Sequence, residues 1–170
     1  LDVIVIASLV SQNLKYLGKA EVFKWPLFGY LAKHSGQIAV QREDKSSRQK
    51  GYDAMKQAIA DGFSIILFPE GGWRNKGDSR SKNPYDLQES KLLQDFRNGA
   101  FRLAKETNVP VLPIALINAQ ERFSDVTMVV KPGNIIIHVF DPIDSKLFKD
   151  SFSLNYACHD LIHNKLKKYN

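Results

Sequence analysis

The sequence is short of the features that mark several protein classes. Its 170 residues contain one cysteine, Cys158, so an internal disulfide is excluded, and this usage fits a reducing compartment. No apolar run approaches the roughly 20 residues of a membrane-spanning helix. The longest run near the start, residues 3–7, is too short for the core of a signal peptide and lacks the basic flank.

Several well-known site signatures are also missing from the sequence. There is no phosphate-binding loop ending in Gly-Lys-Ser/Thr, no dinucleotide loop Gly-x-Gly-x-x-Gly, no Gly-x-Ser-x-Gly elbow and no internal repeat. His159 and His163 are four residues apart and would share a helix face, but no third ligand has convincing spacing. The sequence therefore gives little support to a metal site.

What is present is an ordinary globular composition with a basic balance of charge. Hydrophobic residues make up 44% and charged residues 25%, which excludes disordered and fibrous classes. This length predicts a single domain over residues 1–170. The net charge of +6 favours an anionic partner, such as a phosphorylated substrate, a coenzyme A phosphate, an acidic membrane surface or nucleic acid. The alternative is a solvated basic surface.

Strand and helix patterns alternate along the chain. A short strand at residues 14–17 and a second from Gly36 precede a helical pattern that runs from Ser46 or Ser47 to Ala60. A buried strand over residues 65–68 follows. This order predicts a parallel crossover, so we expect an α/β fold with a mostly parallel central sheet flanked by helices. Later patterns predict a helix at 92–104, strands at 109–116, 126–130 and 134–140, and a helix at 155–169.

The clearest chemistry lies in residues 65–74. Their apolar run ends at Pro69, and Glu70 then places a carboxylate at the carboxyl end of the predicted strand. Gly71 and Gly72 allow a tight turn whose N–H groups can face an anion. In an open α/β sheet, ligands bind at this edge. The stretch is therefore the first candidate for a functional site.

The tetrad Phe-Pro-Glu-Gly at residues 68–71, followed by Arg74, resembles the third conserved block of glycerolipid acyltransferases, which are typified by 1-acylglycerol-3-phosphate acyltransferase. Three further blocks are similar to those of the family and occur in the same order. Asp2 resembles the Asp of a first block that reads His, four residues, Asp. Residues 36–42 resemble the second block, and the Val-Pro-x-x-Pro segment at residues 109–113 resembles the fourth.

The resemblance implies an enzyme of phospholipid biosynthesis or remodelling. It would transfer a fatty acyl group from acyl-coenzyme A or acyl carrier protein to a lysophospholipid such as 1-acylglycerol-3-phosphate. The catalytic His of the family would lie four residues before Leu1, so we expect a domain truncated at its N-terminal edge and inactive without that segment. Asp2 would orient this general base, and an ordinary helix cap is the alternative role.

The resemblance also assigns binding residues. Arg42 and Arg74 would bind the acceptor phosphate, because a guanidinium can hold a phosphate with two hydrogen bonds. Glu70, like Asp2, would belong to the catalytic residues, and together with Gly71 it would shape the phosphate pocket. Lys19 is a further candidate near this pocket. The thioester supplies the leaving group, so no metal or redox cofactor is implied. We expect association with the cytoplasmic face of a membrane as a peripheral protein, and no nucleic-acid partner.

Three parts of the chain leave alternatives open. Pro113 would lie on the acyl-donor side of the site, but a purely structural role is an equal alternative. Arg74 stands one position later than the family pattern, because Gly72 and Trp73 precede it. Either Arg74 reaches the phosphate through a wider turn, or Trp73 reshapes the acceptor site. The polar residues 75–90 predict either a mobile lid over the site or a surface insertion.

Two other functions remain open at this stage. One is a non-catalytic module of the same fold that binds a lipid phosphate, and the residue at the expected position of the His would distinguish it from an enzyme. The other is a nucleic-acid binding domain, which only the basic charge suggests and which ranks well below the others.

Overall fold

The fold is given by a computed structural model. It describes residues 6, 13–20, 29–30, 34, 37–41, 44–71, 93–122, 129 and 131–169. The chain divides into two compact units, one over Val3–Leu67 and one over Phe68–Asn170. The expectation of a single domain stays a prediction.

The first unit is built on a three-stranded parallel sheet. Its strands are β1 (Leu14–Lys19), β2 (Ile38–Val40) and β3 (Ser64–Ile66), in the order β2-β1-β3. Leu17 lies opposite Ile38, and Leu14 lies opposite Ser64. The helix α1 (Lys45–Ala60) connects β2 to β3, as the crossover pattern predicts. The α/β fold class is therefore confirmed.

Local sequence explains where α1 begins and ends. The carboxylate of Asp44 accepts hydrogen bonds from the N–H groups of Ser46 and Ser47, which have no partner within the helix. Gly62, with φ at +84°, provides the left-handed residue that ends the helix. The buried face packs closely on the sheet, since a methyl group on Gly51 would collide with the side chain of Val40.

The second unit combines helices with a two-stranded antiparallel ribbon. Its elements are α2 (Gly99–Thr107), β4 (Ile114–Ile117), α3 (Ala119–Arg122), β5 (Ile136–Val139), a 3-10 helix (Ser145–Leu147) and α4 (Ser151–Leu166). Ile114 lies opposite Val139 in the ribbon. A buried cluster joins α2, α4 and β4, and it consists of Leu93, Phe96, Phe101, Ala104, Ala115, Leu154, Cys158 and Ile162.

The predicted helix over residues 92–104 is wrong in its first half. Helix α2 begins at Gly99, and residues 94–97 have no regular secondary structure. The N–H of Arg97 donates to the carbonyl of Pro69 over 2.8 Å instead of forming a helical hydrogen bond. Leu93 and Phe96 are nevertheless buried, so the apolar pattern identified core residues but assigned them the wrong backbone conformation.

The other elements of the second unit differ from their predictions mainly at the ends. The strand predicted over residues 109–116 pairs with β5 only from Ile114 onwards. Before it, Val111 forms an isolated β-bridge with Ile143. Helix α4 begins and ends earlier than predicted. The polar segment 75–90 and most of the strand predicted at 126–130 lie outside the described residues. In the part of the chain that is described, no helix is both long and apolar enough to cross a membrane.

Candidate functional site

The tetrad that dominates the sequence forms a tight turn. The N–H of Gly71 donates to the carbonyl of Phe68 over 3.0 Å, which closes a four-residue turn. Pro69 suits its second position, because the ring fixes φ and no N–H is required there. Gly71 has φ at +72°, a conformation that residues with a side chain rarely adopt. The tight turn predicted at Gly71 is therefore present.

The Glu70 carboxylate is anchored from outside the turn. Its Oε2 atom accepts a hydrogen bond from the main-chain N–H of Gln94 over 3.1 Å, and the side chain is half-buried. Hydrogen bonds to an ionised acceptor are about twice as strong as neutral ones. The segment around Gln94 therefore fixes where this carboxylate points.

Arg97 brings a cationic group to the same turn. A Cβ atom added to Gly71 would lie 2.5 Å from its Nε atom, so the guanidinium packs directly against the Gly71 backbone. Sequence reasoning did not assign Arg97 to the site. The one available signal was its place in Phe96-Arg97-Asn98-Gly99, a segment that resembles the Phe and Gly pair following the third block of the family.

Buried polar side chains of α4 lie behind this segment. The ring of His159 donates a hydrogen bond to the main-chain carbonyl of Gln94 and packs edge-on against Phe96, with ring centroids 4.9 Å apart. Burial, and next the nearby ring of His163, lower the pKa of His159 to about 4. His159 is therefore neutral at physiological pH.

Asn155, one helical turn earlier in α4, holds the same segment. Its Nδ2 atom donates to the carbonyl of Phe96 over 3.1 Å, and the side chain is fully buried. These contacts were not predicted, because they join residues far apart in the sequence. The spacing of His159 and His163 drew attention to the helix face only as a weak metal candidate.

A metal role for that pair finds no support within the described ranges. The rings of His159 and His163 lie 5.9 Å apart, and no group of three or more His, Cys, Asp or Glu side chains in the described part of the chain could hold a metal ion. Burial raises the pKa of the neighbouring Cys158 thiol to about 12. The thiol is therefore protonated, and it behaves as a packed core side chain.

The structure also gives the backbone positions of two other predicted site residues, Lys19 and Pro113. Lys19 ends β1 opposite Val40 at the carboxyl end of the parallel sheet, the edge where the sequence predicts a site. Pro113 is buried, and its carbonyl accepts a hydrogen bond from the N–H of Phe140 over 3.1 Å. That bond gives Pro113 a structural contact, and its role on the donor side stays a prediction.

The remaining predicted residues, Asp2, Arg42 and Arg74, lie outside the described residues, and their roles stay predictions. The neighbours of Arg42 are held in place. The N–H of Gln41 donates to Ser47 Oγ over 3.0 Å, and Asp44 caps α1. The described residues on both sides of this position are therefore held by hydrogen bonds.

Comparisons with known proteins agree with the resemblance in the sequence. A protein-family model described as "Acyltransferase" matches residues 1–117, which include the turn, its supporting segment and Pro113. The chain is 29% identical over 171 aligned residues to the 1-acyl-sn-glycerol-3-phosphate acyltransferase of Haemophilus influenzae, an alignment that covers 97% of the chain and 63% of that protein. It is 33% identical to the lyso-ornithine lipid O-acyltransferase of Rhizobium meliloti, covering 70% of the chain and 35% of that protein.

A solved structure shows the same fold. The crystal structure of the 1-acyl-sn-glycerophosphate acyltransferase from Thermotoga maritima superposes with a TM-score of 0.77 at 18% sequence identity, covering 99% of the chain and 61% of that protein. The chain thus spans less than two-thirds of the length of each of these three proteins.

Proposed function

Because the chain belongs to the acyltransferase family, we propose that the protein transfers a fatty acyl group from acyl-coenzyme A or acyl carrier protein to a lysophospholipid hydroxyl. The first candidate acceptor is 1-acylglycerol-3-phosphate, after the name of the Haemophilus influenzae relative. In this reaction the hydroxyl loses its proton to a base and its oxygen bonds to the thioester carbonyl carbon. The C–S bond breaks, and the thiol leaves with the proton.

The observation that carries the proposal is the anchored turn at Glu70 and Gly71. It presents a half-buried carboxylate with an arginine packed on its backbone, and it lies within the range that the family model matches. A site whose donors and acceptors are fixed before the substrate binds loses less free energy in ordering them. We infer that this turn forms one wall of the acceptor pocket.

Other residues of the proposed site rest on the resemblance. Arg42 and Arg74 are proposed to bind the acceptor phosphate, and Lys19 to lie near them. Asp2 is proposed to orient the base, a His expected before Leu1. Arg97 joins this group because its guanidinium lies at the turn. We also propose that the net charge of +6 favours peripheral binding to an anionic membrane surface at the cytoplasmic face.

The decisive experiment measures coenzyme A release by the full-length protein. Acyl-coenzyme A is supplied with and without 1-acylglycerol-3-phosphate, and a lyso-ornithine lipid serves as a second acceptor. We expect release that depends on the acceptor. Glu70→Gln should lower it about 10- to 100-fold, because a charge-assisted hydrogen bond is worth about 1.5 to 3 kcal/mol. Glu106→Gln is the matched control, since Glu106 is a surface residue of α2 paired with Arg102 at 3.6 Å, and it should have no effect.

One observation in the sequence favours a second function. Arg74 follows Gly72 and Trp73, one position later than in the family pattern, which could redirect or abolish the activity. A protein that binds 1-acylglycerol-3-phosphate but releases no coenzyme A, and does not transfer from acyl carrier protein, would be a non-catalytic lipid-phosphate binding module. That outcome would overturn the acyltransferase proposal.

A further inference from the structure

Three polar side chains of α4 contact the segment that supports the Glu70 turn. Ser151 Oγ accepts a hydrogen bond from Asn98 Nδ2 over 2.8 Å. Asn155 Nδ2 donates to the carbonyl of Phe96 over 3.1 Å. His159 donates to the carbonyl of Gln94. We call these three side chains, Ser151, Asn155 and His159, the polar ladder.

The contacts of the polar ladder follow a regular geometric register. Its members are four residues apart on a helix, and four helical residues advance about 6 Å. Their partners, residues 98, 96 and 94, are two residues apart. Each turn of α4 therefore meets every second residue of a segment that runs in the opposite direction.

Burial makes this register costly to change. Asn155 is 0% exposed and His159 is 3% exposed, so neither side chain can exchange its partner for bulk water. A shift of the segment by one residue would leave these groups unpaired in the core, and buried polar groups without hydrogen bonds are strongly unfavourable. The ladder therefore explains why residues 94–97 do not continue helix α2 towards its N-terminus.

The ladder ends at the candidate site. Gln94, whose carbonyl accepts from His159, donates its N–H to the carboxylate of Glu70, and Arg97 within the same segment donates its N–H to Pro69. We propose that the polar ladder of α4 consists of positioning residues, which set the Glu70 carboxylate and the Gly71 turn through residues 94–98. This role rests on the proposed function of the turn, and the ladder itself can be tested without it.

The test compares three substitutions in the full-length protein. His159→Phe keeps the ring that packs on Phe96 but removes the hydrogen bond. In the wild-type ring Nδ1 is the donor, because Nε2 has no hydrogen-bond partner among the described residues. His159→Asn loses ring volume but keeps an N–H donor near the position of Nδ1. His163→Phe is the matched control, since His163 lies one turn further along the same helix and is also buried.

The first measurement is amide hydrogen exchange in peptides covering residues 93–98 and 68–71. We expect His159→Phe to speed exchange about 3- to 10-fold, the effect of losing one hydrogen bond of ordinary strength. His159→Asn should restore slow exchange, and His163→Phe should resemble the wild type there. If His159→Phe does not fold, Ser151→Ala tests the half-buried end of the ladder, with a smaller acceleration expected over residues 96–98.

The second measurement is kinetic, with acyl-coenzyme A and 1-acylglycerol-3-phosphate. We expect His159→Phe to lower kcat/KM for the acceptor by a similar factor while KM for the donor is unchanged, and His159→Asn to recover most of the loss. A role in packing alone predicts the reverse order, with Phe tolerated and Asn impaired. That order, or equal exchange in His159→Phe and His163→Phe, would overturn the ladder. A wild-type protein without transfer would overturn the proposed function, and the exchange comparison would still decide the ladder.

Discussion

Two glycines with similar backbone angles have different surroundings. Gly71 and Gly62 have φ at +72° and +84°, so a side chain at either position is strained. A Cβ on Gly62 would meet no atom within 4 Å, whereas one on Gly71 would lie 2.5 Å from Arg97 Nε. Gly62 therefore needs glycine for its conformation alone, and Gly71 needs it also for the approach of Arg97.

This difference predicts the effects of two alanine substitutions. Gly62→Ala should cost about 1 to 2 kcal/mol of unfolding free energy from backbone strain. Gly71→Ala should cost a similar amount for the same reason, because the Arg97 guanidinium is the end of a flexible side chain and can move aside. It should also lower acyl transfer to the acceptor more than tenfold, whereas Gly62→Ala should not. Urea unfolding and the coenzyme A release assay measure both effects. Equal losses of acyl transfer in the two variants would contradict the close packing of Arg97 on the turn.

At the scale of elements, α1 shows how a short local signal fixes a helix end. Asp44 Oδ2 accepts from the N–H of Ser47 over 2.7 Å, and Oδ1 accepts from Ser46 over 3.1 Å. Asp44→Ala should therefore lower the free energy of unfolding by about 1 kcal/mol. Asp44→Asn is the control, because an amide oxygen still accepts the bond and most of the stability should remain. Urea unfolding followed by circular dichroism compares them. Equal losses in both variants would mean that the charge, and not the capping bond, is what matters.

Comparison of α1 with residues 93–98 shows what sequence could predict and why. The crossover helix was predicted nearly to its ends, because its cap, its apolar face and Gly62 all act within a few residues. Residues 93–98 have equally helical spacing of apolar residues, yet their conformation is set by Pro69, Glu70 and α4. Those partners are distant in sequence, so no local pattern could reveal them.

The residues of the candidate site also fall into those that local sequence predicts and those that depend on distant contacts. Glu70 and Gly71 were predicted, because a proline, a carboxylate and a glycine in succession specify a turn locally. Arg97 and His159 were not, because their roles depend on which distant backbone groups they contact. The family itself was recognised from four short blocks, and the match over residues 1–117 confirms it.

At the scale of the whole molecule, the buried ladder links stability to pH. Burial, and next the adjacent His163 ring, lower the pKa of His159 to about 4 from 6.5, although Asp160 and the Gln94 carbonyl favour the charged form. Between these two values the unfolded chain binds a proton that the folded chain does not. Stability therefore falls as pH decreases through this window, by about 2 kcal/mol between pH 7 and pH 5 for this one group.

Urea unfolding at pH 7, 6 and 5 measures this dependence. His159→Phe cannot bind the proton, so its stability should change less with pH than that of the wild type, even if it is lower at pH 7. An unchanged slope in His159→Phe would assign the acid sensitivity to other groups. A reduced slope would show that protonation of His159 is what makes the folded chain lose stability as the pH falls from 7 to 5.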